Sequence, residues 1–216
     1  MALAGAEVIR AQITTVEPVP LDELRRALDE PWDWIVITSA LTARILHQAG
    51  ISLPSGVKIA AVGPATAAAL ETLQVRPDLV ADPGGGAALA AAMPAGPGRI
   101  LAPGAALPSQ QPAAALRAKA WSVYQVPVYR SLPVPIPEEI RAAWPGLDAV
   151  IITAGSIATA LVAAAGLPGP GAIAIGDPSA RAATRAGLTV IATAAAPTAD
   201  ALLDAALAAL ATQGHP

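Results

Sequence analysis

The chain carries one pattern twice, and a repeat of this length dictates architecture before any single residue does. Pro18-Val19-Pro20 returns as Pro133-Val134-Pro135, an offset of 115 residues. The run Asp33 to Thr38 (DWIVIT) returns at the same offset as Asp148 to Thr153 (DAVIIT). Val62-Gly63 within IAAVGPATAAAL matches Ile175-Gly176 within AIAIGDPSARAA at offset 113, and Asp82-Pro83 matches Ala196-Pro197 at offset 114. Four blocks in one order, with small drift, describe two copies whose loops differ slightly in length.

Short apolar runs alternate with helix-patterned segments inside each copy. The first copy reads as strands at Glu7 to Ile13, Trp34 to Thr38, Lys58 to Val62 and Leu79 to Ala81. Its helices are expected at Leu21 to Leu28, Leu41 to Gln48, Ala65 to Leu73 and Gly86 to Met93, and the second copy repeats the series from Ser122 onward. Continuous apolar strands are those of a parallel sheet covered on both faces, and alternating elements argue for an open α/β sheet. Arg99 to Ala120 reads as strand, loop and helix, but the equivalent place in the first copy, 115 residues earlier, falls ahead of Met1. The repeat therefore predicts a first strand and helix that the sequence as it stands lacks: either the start is set too late or the unit has been lost. Leu3 to Val8 would hold the tail of that helix and the start of the next strand.

One stretch has the length of a membrane span: Ala149 to Gly176 has no charged residue, and Ala149 to Leu167 alone would cross a bilayer. Two features favour a strand followed by a core helix. The stretch opens on Val150-Ile151-Ile152-Thr153, a β-branched run, and closes on the turn cluster Pro168-Gly169-Pro170-Gly171. Its first-copy counterpart, Asp33 to Gly50, carries Arg44 and His47. Met1 to Arg10 has neither a basic leader nor a long apolar region, so no signal peptide is expected and the location is expected to be cytoplasmic.

Composition then narrows the chemistry. With no cysteine, disulfides, thiolate zinc sites, iron–sulfur clusters and a cysteine nucleophile are excluded. His47 and His215 are the two histidines, and the second lies in the tail. A histidine-rich metal site is out. A net charge of −3 is too weak a field to argue for nucleic acid or an anionic membrane as partner. Hydrophobic residues reach 54% while charged ones stay at 13%, with no Phe, so Ala, Val, Ile and Leu must build a core of small side chains.

Most candidate motifs read as structural. Gly169-Pro170-Gly171 with Ala174 imitates a dinucleotide fingerprint, but it precedes a strand, and that mechanism needs glycines at the strand-to-helix turn. Asp82-Pro83-Gly84-Gly85-Gly86 does join a strand to a helix. It reads as a turn, or else as close backbone approach to an anion. His47 falls on a helix away from any strand end, and Glu138-Glu139 sits at a helix start, where carboxylates meet the helix dipole. What remains is a set of four strand ends, each rich in Ser, Thr or Gly and each opening a helix. They are Thr38-Ser39, Gly63-Pro64-Ala65-Thr66, Thr153-Ala154-Gly155-Ser156 and Gly176-Asp177-Pro178-Ser179. Their hydroxyls either cap helices or both cap and bind. In open α/β sheets the crevice at the strand carboxyl ends takes ligands, and helix N-termini accept carboxylates or phosphates.

These motifs in this order resemble the uroporphyrinogen-III synthase family, which closes the tetrapyrrole ring. The resembling segments are DWIVITSALTARIL (33 to 46), KIAAVGPATAAALE (58 to 71), VPVYRSLP (126 to 133), DAVIITAGSIATAL (148 to 161), AIAIGDPSARAATRAG (172 to 187) and PTADALLDAAL (197 to 207). The resemblance implies two similar open parallel-sheet, flavodoxin-like domains joined by a two-stranded β linker. On this chain the middle domain would be 31–123, the discontinuous domain 1–8 plus 135–216, and the linker strands 9–16 and 124–131. It also implies a catalytic Tyr129 and substrate-binding positions at Thr38, Ser39, Gly63, Thr66, Thr153, Ser156, Gly176 and Ser179. Three family features are replaced: the opening strand with its Thr-Arg-Pro-like end, an Asn where Leu41 stands, and an Arg near Pro103.

The implied reaction takes hydroxymethylbilane, a linear tetrapyrrole with eight carboxylates, to uroporphyrinogen III. Loss of the hydroxyl leaves an electrophilic azafulvene. The last pyrrole attacks through its substituted carbon, and a spiro intermediate re-closes with ring D inverted. Positioning is the protein's main task. Tyr129 would either assist departure of the hydroxyl or merely pack the linker. Local donors for the polyanion would be helix N-termini with Arg44, Arg130 or Arg181. No metal or organic cofactor is called for, and a monomer is expected. The alternatives are a two-domain anionic-ligand-binding module or an inactive truncated homologue.

Overall fold

A computed structural model describes residues 7–82, 84–108 and 110–212. Residues 1–6 of the expected discontinuous domain, Pro83 and His215 lie outside the described residues. The chain divides into a continuous unit, Val16–Ser131, and a discontinuous one, Met1–Thr15 with Leu132–Pro216.

The continuous unit alternates strand and helix as its apolar runs require. In chain order come β1 (Thr14–Pro18, which begins just ahead of the unit), α1 (Asp22–Leu28), β2 (Trp34–Ile37), α2 (Ala40–Gln48), β3 (Lys58–Ala61) and α3 (Pro64–Glu71). Then follow β4 (Leu79–Val80), α4 (Gly86–Ala92), β5 (Gly98–Ala105), α5 (Gln110–Ala118) and β6 (Trp121–Pro133). The sheet order is β1-β6-β5-β2-β3-β4, and β6, β5, β2, β3 and β4 run parallel. Period-two alternation explains the unbroken hydrophobic strands. Ile35, Ile37 and Leu101 turn to one face with Leu24 of α1, Leu46 of α2 and Leu70 of α3. Trp34, Val36 and Ile100 turn to the other with Leu89 of α4, Met93 and Leu116 of α5. Beside β6, Val19 N–H donates to Val128 C=O (3.2 Å), and Val134 N–H donates to Ile13 C=O (3.0 Å). The residue numbers of the two pairs share one sum, as an antiparallel ladder demands.

The discontinuous unit continues with α6 (Glu138–Ala143), a 3₁₀ turn at Trp144–Gly146, β7 (Ala149–Ile152), α7 (Gly155–Ala165) and β8 (Gly171–Ala174). It closes with α8 (Asp177–Arg185), β9 (Val190–Thr193) and α9 (Ala199–Thr212). Its parallel sheet has the order β7-β8-β9 among the described residues. Ile152 and Ala172 face Leu161, Ala183 and Trp144, and Ile13 and Ile136 join that cluster. Ile173 faces Leu202 and Ala206 of α9.

Three expectations need correction. The continuous unit is not flavodoxin-like in strand order. Counting β2 as its first strand, its five parallel strands lie 3-2-1-4-5, the other doubly wound order, not 2-1-3-4-5. The physical reason is that β3 and β4 add outward from one edge of β2, after which the chain crosses back and lays β5 on β2's other edge. The strand expected over Glu7 to Ile13 is irregular backbone, and regular pairing starts at Thr14. Val8 and Ile9 are roughly half exposed there, so the segment ahead of the buried Ile13 lacks the cover that a strand would need. The linker strand expected at 9–16 accordingly appears as β1 at Thr14–Pro18, and the segment 124–131 lies inside β6. The uncharged stretch from Ala149 resolves into β7, α7, a turn and β8, and no helix among the described residues is long and apolar enough to cross a membrane. Gly171 opens β8 because a Cβ there would stand 2.7 Å from Ile191 Cδ1. That glycine serves sheet packing.

Candidate functional site

Parallel strands put all their carboxyl ends at one edge of each sheet. In the continuous unit that edge has a switch point, because the chain leaves β2 toward β3 on one side and returns at β5 on the other. Connections diverge there and leave a crevice. Thr38 follows β2 and is exposed. Across the switch point is Gly104 of β5, where a Cβ would lie 3.9 Å from Thr38 Oγ1. Ser39 caps α2, its Oγ accepting the Leu41 N–H at 3.1 Å.

Tyr129 reaches the same edge through a bulge. The β5–β6 register runs regularly to Gly104 opposite Pro127, then slips so that Ala105 faces Tyr129 and Val128 is left over. Such an extra residue re-aims the side chain that follows. Tyr129 C=O also accepts the Ala106 N–H at 2.7 Å, which fixes the loop beyond β5. The ring is 9% exposed and packed with the core. Its hydroxyl makes no hydrogen bond among the described residues and is not enclosed. Trp34 and Trp121, by contrast, open their strands at the opposite, amino edge, where Trp32 stacks on Tyr124. Tyr129 is thus the aromatic residue that this sheet carries to its carboxyl edge.

The remaining rim of this unit is backbone. Gly63 caps α3 and is buried, and a Cβ on it would meet Gly84 Cα at 3.1 Å. The loops after β3 and β4 touch main chain to main chain, and Gly85 N–H donates to Val62 C=O at 2.8 Å. The Gly84-Gly85-Gly86 run therefore closes a turn, and its Gly85 N–H is already used.

Ordinary capping does not account for the hydroxyl residues. Ser39 alone among the four sets makes a side-chain cap; the N-caps of α3, α7 and α8 are Gly63, Ala154 and Gly176. Among the described residues the buried polar side chains are Thr42, Thr66 and Ser179, at 0%, 3% and 5% exposure. Each is the third residue of its helix, in α2, α3 and α8 respectively. Cα–Cβ bonds tilt toward a helix's N-terminus, so these hydroxyls lean back to the helix mouth. None makes a hydrogen bond among the described residues, and Thr42 Oγ1 is fully enclosed. Sequence reading found Thr66 and Ser179 but missed Thr42. The only signal was the shared position three residues past a strand-end cap.

In the discontinuous unit, Thr153 and Ser156 are exposed beside the start of α7, and Gly176 and Ser179 begin α8. Gly155 keeps α7 close to α8, since a Cβ there would lie 2.9 Å from Ala182 Cβ. Neither α2, α3 nor α7 has an acidic residue in its first turn, whereas α8 has Asp177. Of the expected basic donors, Arg130 is engaged by Glu17 at 2.7 Å. That bond and the opposite charge hold the Glu17 carboxyl below the usual carboxylate range and push Arg130 up. Arg44 and Arg181 are exposed and make no ion pair among the described residues. His47 is exposed on α2, and Glu138 bridges Arg141 at 3.3 Å, so both keep surface roles.

Comparison with known proteins agrees with this architecture. The family model described as uroporphyrinogen-III synthase HemD matches residues 2–204. A mutant uroporphyrinogen III synthase from the extremely thermophilic bacterium Thermus thermophilus shares 24% identity, covers 93% of this chain and 88% of its own, and superposes with a TM-score of 0.64. The Helicobacter pylori synthetase shares 20% identity over 91% of this chain and 90% of its own, with a TM-score of 0.62. At these identities the likeness shows the fold. No curated protein sequence matches.

Proposed function

This chain belongs to the uroporphyrinogen-III synthase family, and from that premise we propose how its own residues hold and close the substrate. The enzyme is a lyase that cyclises hydroxymethylbilane to uroporphyrinogen III, inverting ring D through a spiro intermediate. The observation that carries the residue-level reading is the set of strand-end helix mouths. Those of α2, α3 and α7 are free of acidic first-turn residues, and hydroxyls lean toward those of α3 and α8. Mouths of this kind offer unpaired backbone N–H groups and a positive dipole end to carboxylates.

In this reading Thr38, Ser39, Gly63 and Thr66 bind substrate carboxylates from the continuous unit, and Thr153, Ser156, Gly176 and Ser179 do so from the discontinuous one. Many weak, directional holds on a flexible tetrapyrrole fix its curl, and a held geometry replaces an unfavourable search. The curl brings the substituted carbon of ring D to the azafulvene ahead of the free position. Tyr129 donates a proton to the departing hydroxyl. Its buried ring fixes the phenol, and its O–H, which has no partner among the described residues, is free to give the proton. Arg130 is spent on Glu17 and is not assigned a substrate carboxylate.

The reading also takes 31–123 as the middle domain and 1–8 with 135–216 as the discontinuous domain, joined by a two-stranded linker of β1 (Thr14–Pro18) with the segment 124–131 of β6, in a monomer acting in the cytoplasm. Product isomer analysis tests the whole. Purified chain is given fresh hydroxymethylbilane, and the oxidised products are separated. Mostly isomer III is expected from the wild type, while isomer I alone would overturn the reading. Tyr129→Phe is expected to slow isomer III formation about a hundredfold, the usual scale of a lost general acid. An unchanged rate removes Tyr129 from the mechanism.

A further inference from the structure

The two copies differ at one helix mouth. Gly63-Pro64-Ala65-Thr66 opens α3, and Gly176-Asp177-Pro178-Ser179 opens α8, so Asp177 stands where the other copy has Pro64. Both helices begin on a glycine that offers no side-chain cap, and both bury a hydroxyl at their third residue. Ser179 is 5% exposed, its hydroxyl has no partner among the described residues, and the tilt of its Cβ sends it toward the mouth of α8. Asp177 is exposed and, among the described residues, makes no ion pair or hydrogen bond through its carboxylate, Arg181 one turn on included. The mouth of α8 thus shares the glycine and the buried hydroxyl of α3 and adds an acidic first residue, with Arg181, where the other copy has Ala68, one turn further on.

We propose that Asp177 is a specificity-determining residue that holds the affinity of the α8 mouth for substrate and product carboxylates below that of α3. The inference rests on the reading of these mouths as carboxylate sites. A carboxylate at the first helical position occupies the positive end of the dipole itself and repels an incoming anion within a Debye length. A product with eight carboxylates, gripped tightly at this mouth, would leave slowly, and in many enzymes release limits turnover. One mouth with its own anion weakens the grip on substrate and product together.

Equilibrium titration with uroporphyrin III, the stable oxidised form of the product, tests this without requiring turnover. Asp177→Asn is expected to bind about threefold tighter than wild type at roughly 20 mM salt, with the gap closing near 0.2 M as screening grows. Asp177→Glu keeps the charge and is expected to bind as wild type does. The same Asp177→Asn change removes a favourable dipole contact and is expected to lower the melting temperature slightly. Tighter binding with lower stability is a pair of signs that a merely structural role would not produce. Equal or weaker binding by Asp177→Asn, tight binding by Asp177→Glu, or no binding by any of the proteins would overturn the proposal. Wild-type isomer analysis run alongside separates the two readings. Isomer I alone would sink the enzymatic mechanism, while the porphyrin titration still decides the role of Asp177.

Discussion

Replacing Thr42 by valine should make the protein more stable, although it removes a polar group from a helix that opens on the candidate site. Thr42 is 0% exposed, and its Oγ1 is enclosed without a hydrogen-bond partner among the described residues. An unsatisfied buried hydroxyl costs about 1–3 kcal/mol in lost hydration. Valine has nearly the same shape, so no cavity opens and no neighbour is displaced, and the new methyl adds about 0.8 kcal/mol of apolar burial. Helix propensities of the two residues are close. The other copy supports the direction: at an offset of 115 the equivalent residue is Ile157, already apolar. The net expectation is a gain of about 2–4 kcal/mol, read by calorimetry as a rise of roughly 8–16 °C in the transition of the continuous unit. Thr42→Ser keeps the hydroxyl and deletes the methyl, and should lose about 1 kcal/mol. If Thr42→Val melts lower than wild type, the hydroxyl has a partner such as a bound water, and the orphan argument is wrong.

Two further outcomes can be checked directly. Gly98→Ala should lose about 2–3 kcal/mol in urea unfolding. Gly98 has φ +157°, and a Cβ there would fall 2.5 Å from Trp121 Cζ3 and 2.6 Å from Asp33 Oδ2, the oxygen that accepts the Arg99 N–H. Wild-type stability in such a variant would refute the reading. The Glu17 carboxyl should titrate in carbon NMR below the ordinary glutamate range and return to that range in Arg130→Gln, because Arg130 is what depresses it. Since the folded-state value is the lower one, the pair's contribution is complete above the unfolded value and fades as pH falls through the folded one. Both partners are solvent-exposed, so the titration moves more than the stability does.

Local pattern made most elements legible. Trp34 to Ile37 is wholly buried because helices cover both faces of β2, and an unbroken apolar run is what such a strand needs. The strand-to-helix turns followed from the same contrast. Strand order was not legible. Whether β5 lies against β2 or against β4 depends on where a crossover lands, and Arg99-Ile100-Leu101 would suit either neighbour. The slip at Val128 that turns Tyr129 toward its edge was also invisible, because a bulge is a relation between two strands. The hydroxyls were legible as a class, and Ser39 caps its helix as expected, but the burial of Thr66 and Ser179 was not legible. Residues that favour caps on average sit here at the third helical position, where their neighbours hide them. Glu7 to Ile13 failed for a plainer reason: its apolar residues resemble a strand, but Val8 and Ile9 stay half exposed, and among the described residues only Ile13, at its end, is buried and bonded, to Val134.

The discontinuous unit takes its first residues from one end of the chain and the rest from the other, and that has a consequence in time. Ile13 is buried against Ile136, Trp144 and Leu188. On a ribosome working at about 5–20 residues per second, Ile13 waits roughly 10–35 s for Leu188 to be made. All of Val16–Ser131 emerges in that interval and is free to fold. The newborn protein is therefore a finished half carrying an apolar residue whose cluster is still being made, and that residue stays open to other chains until the cluster is complete.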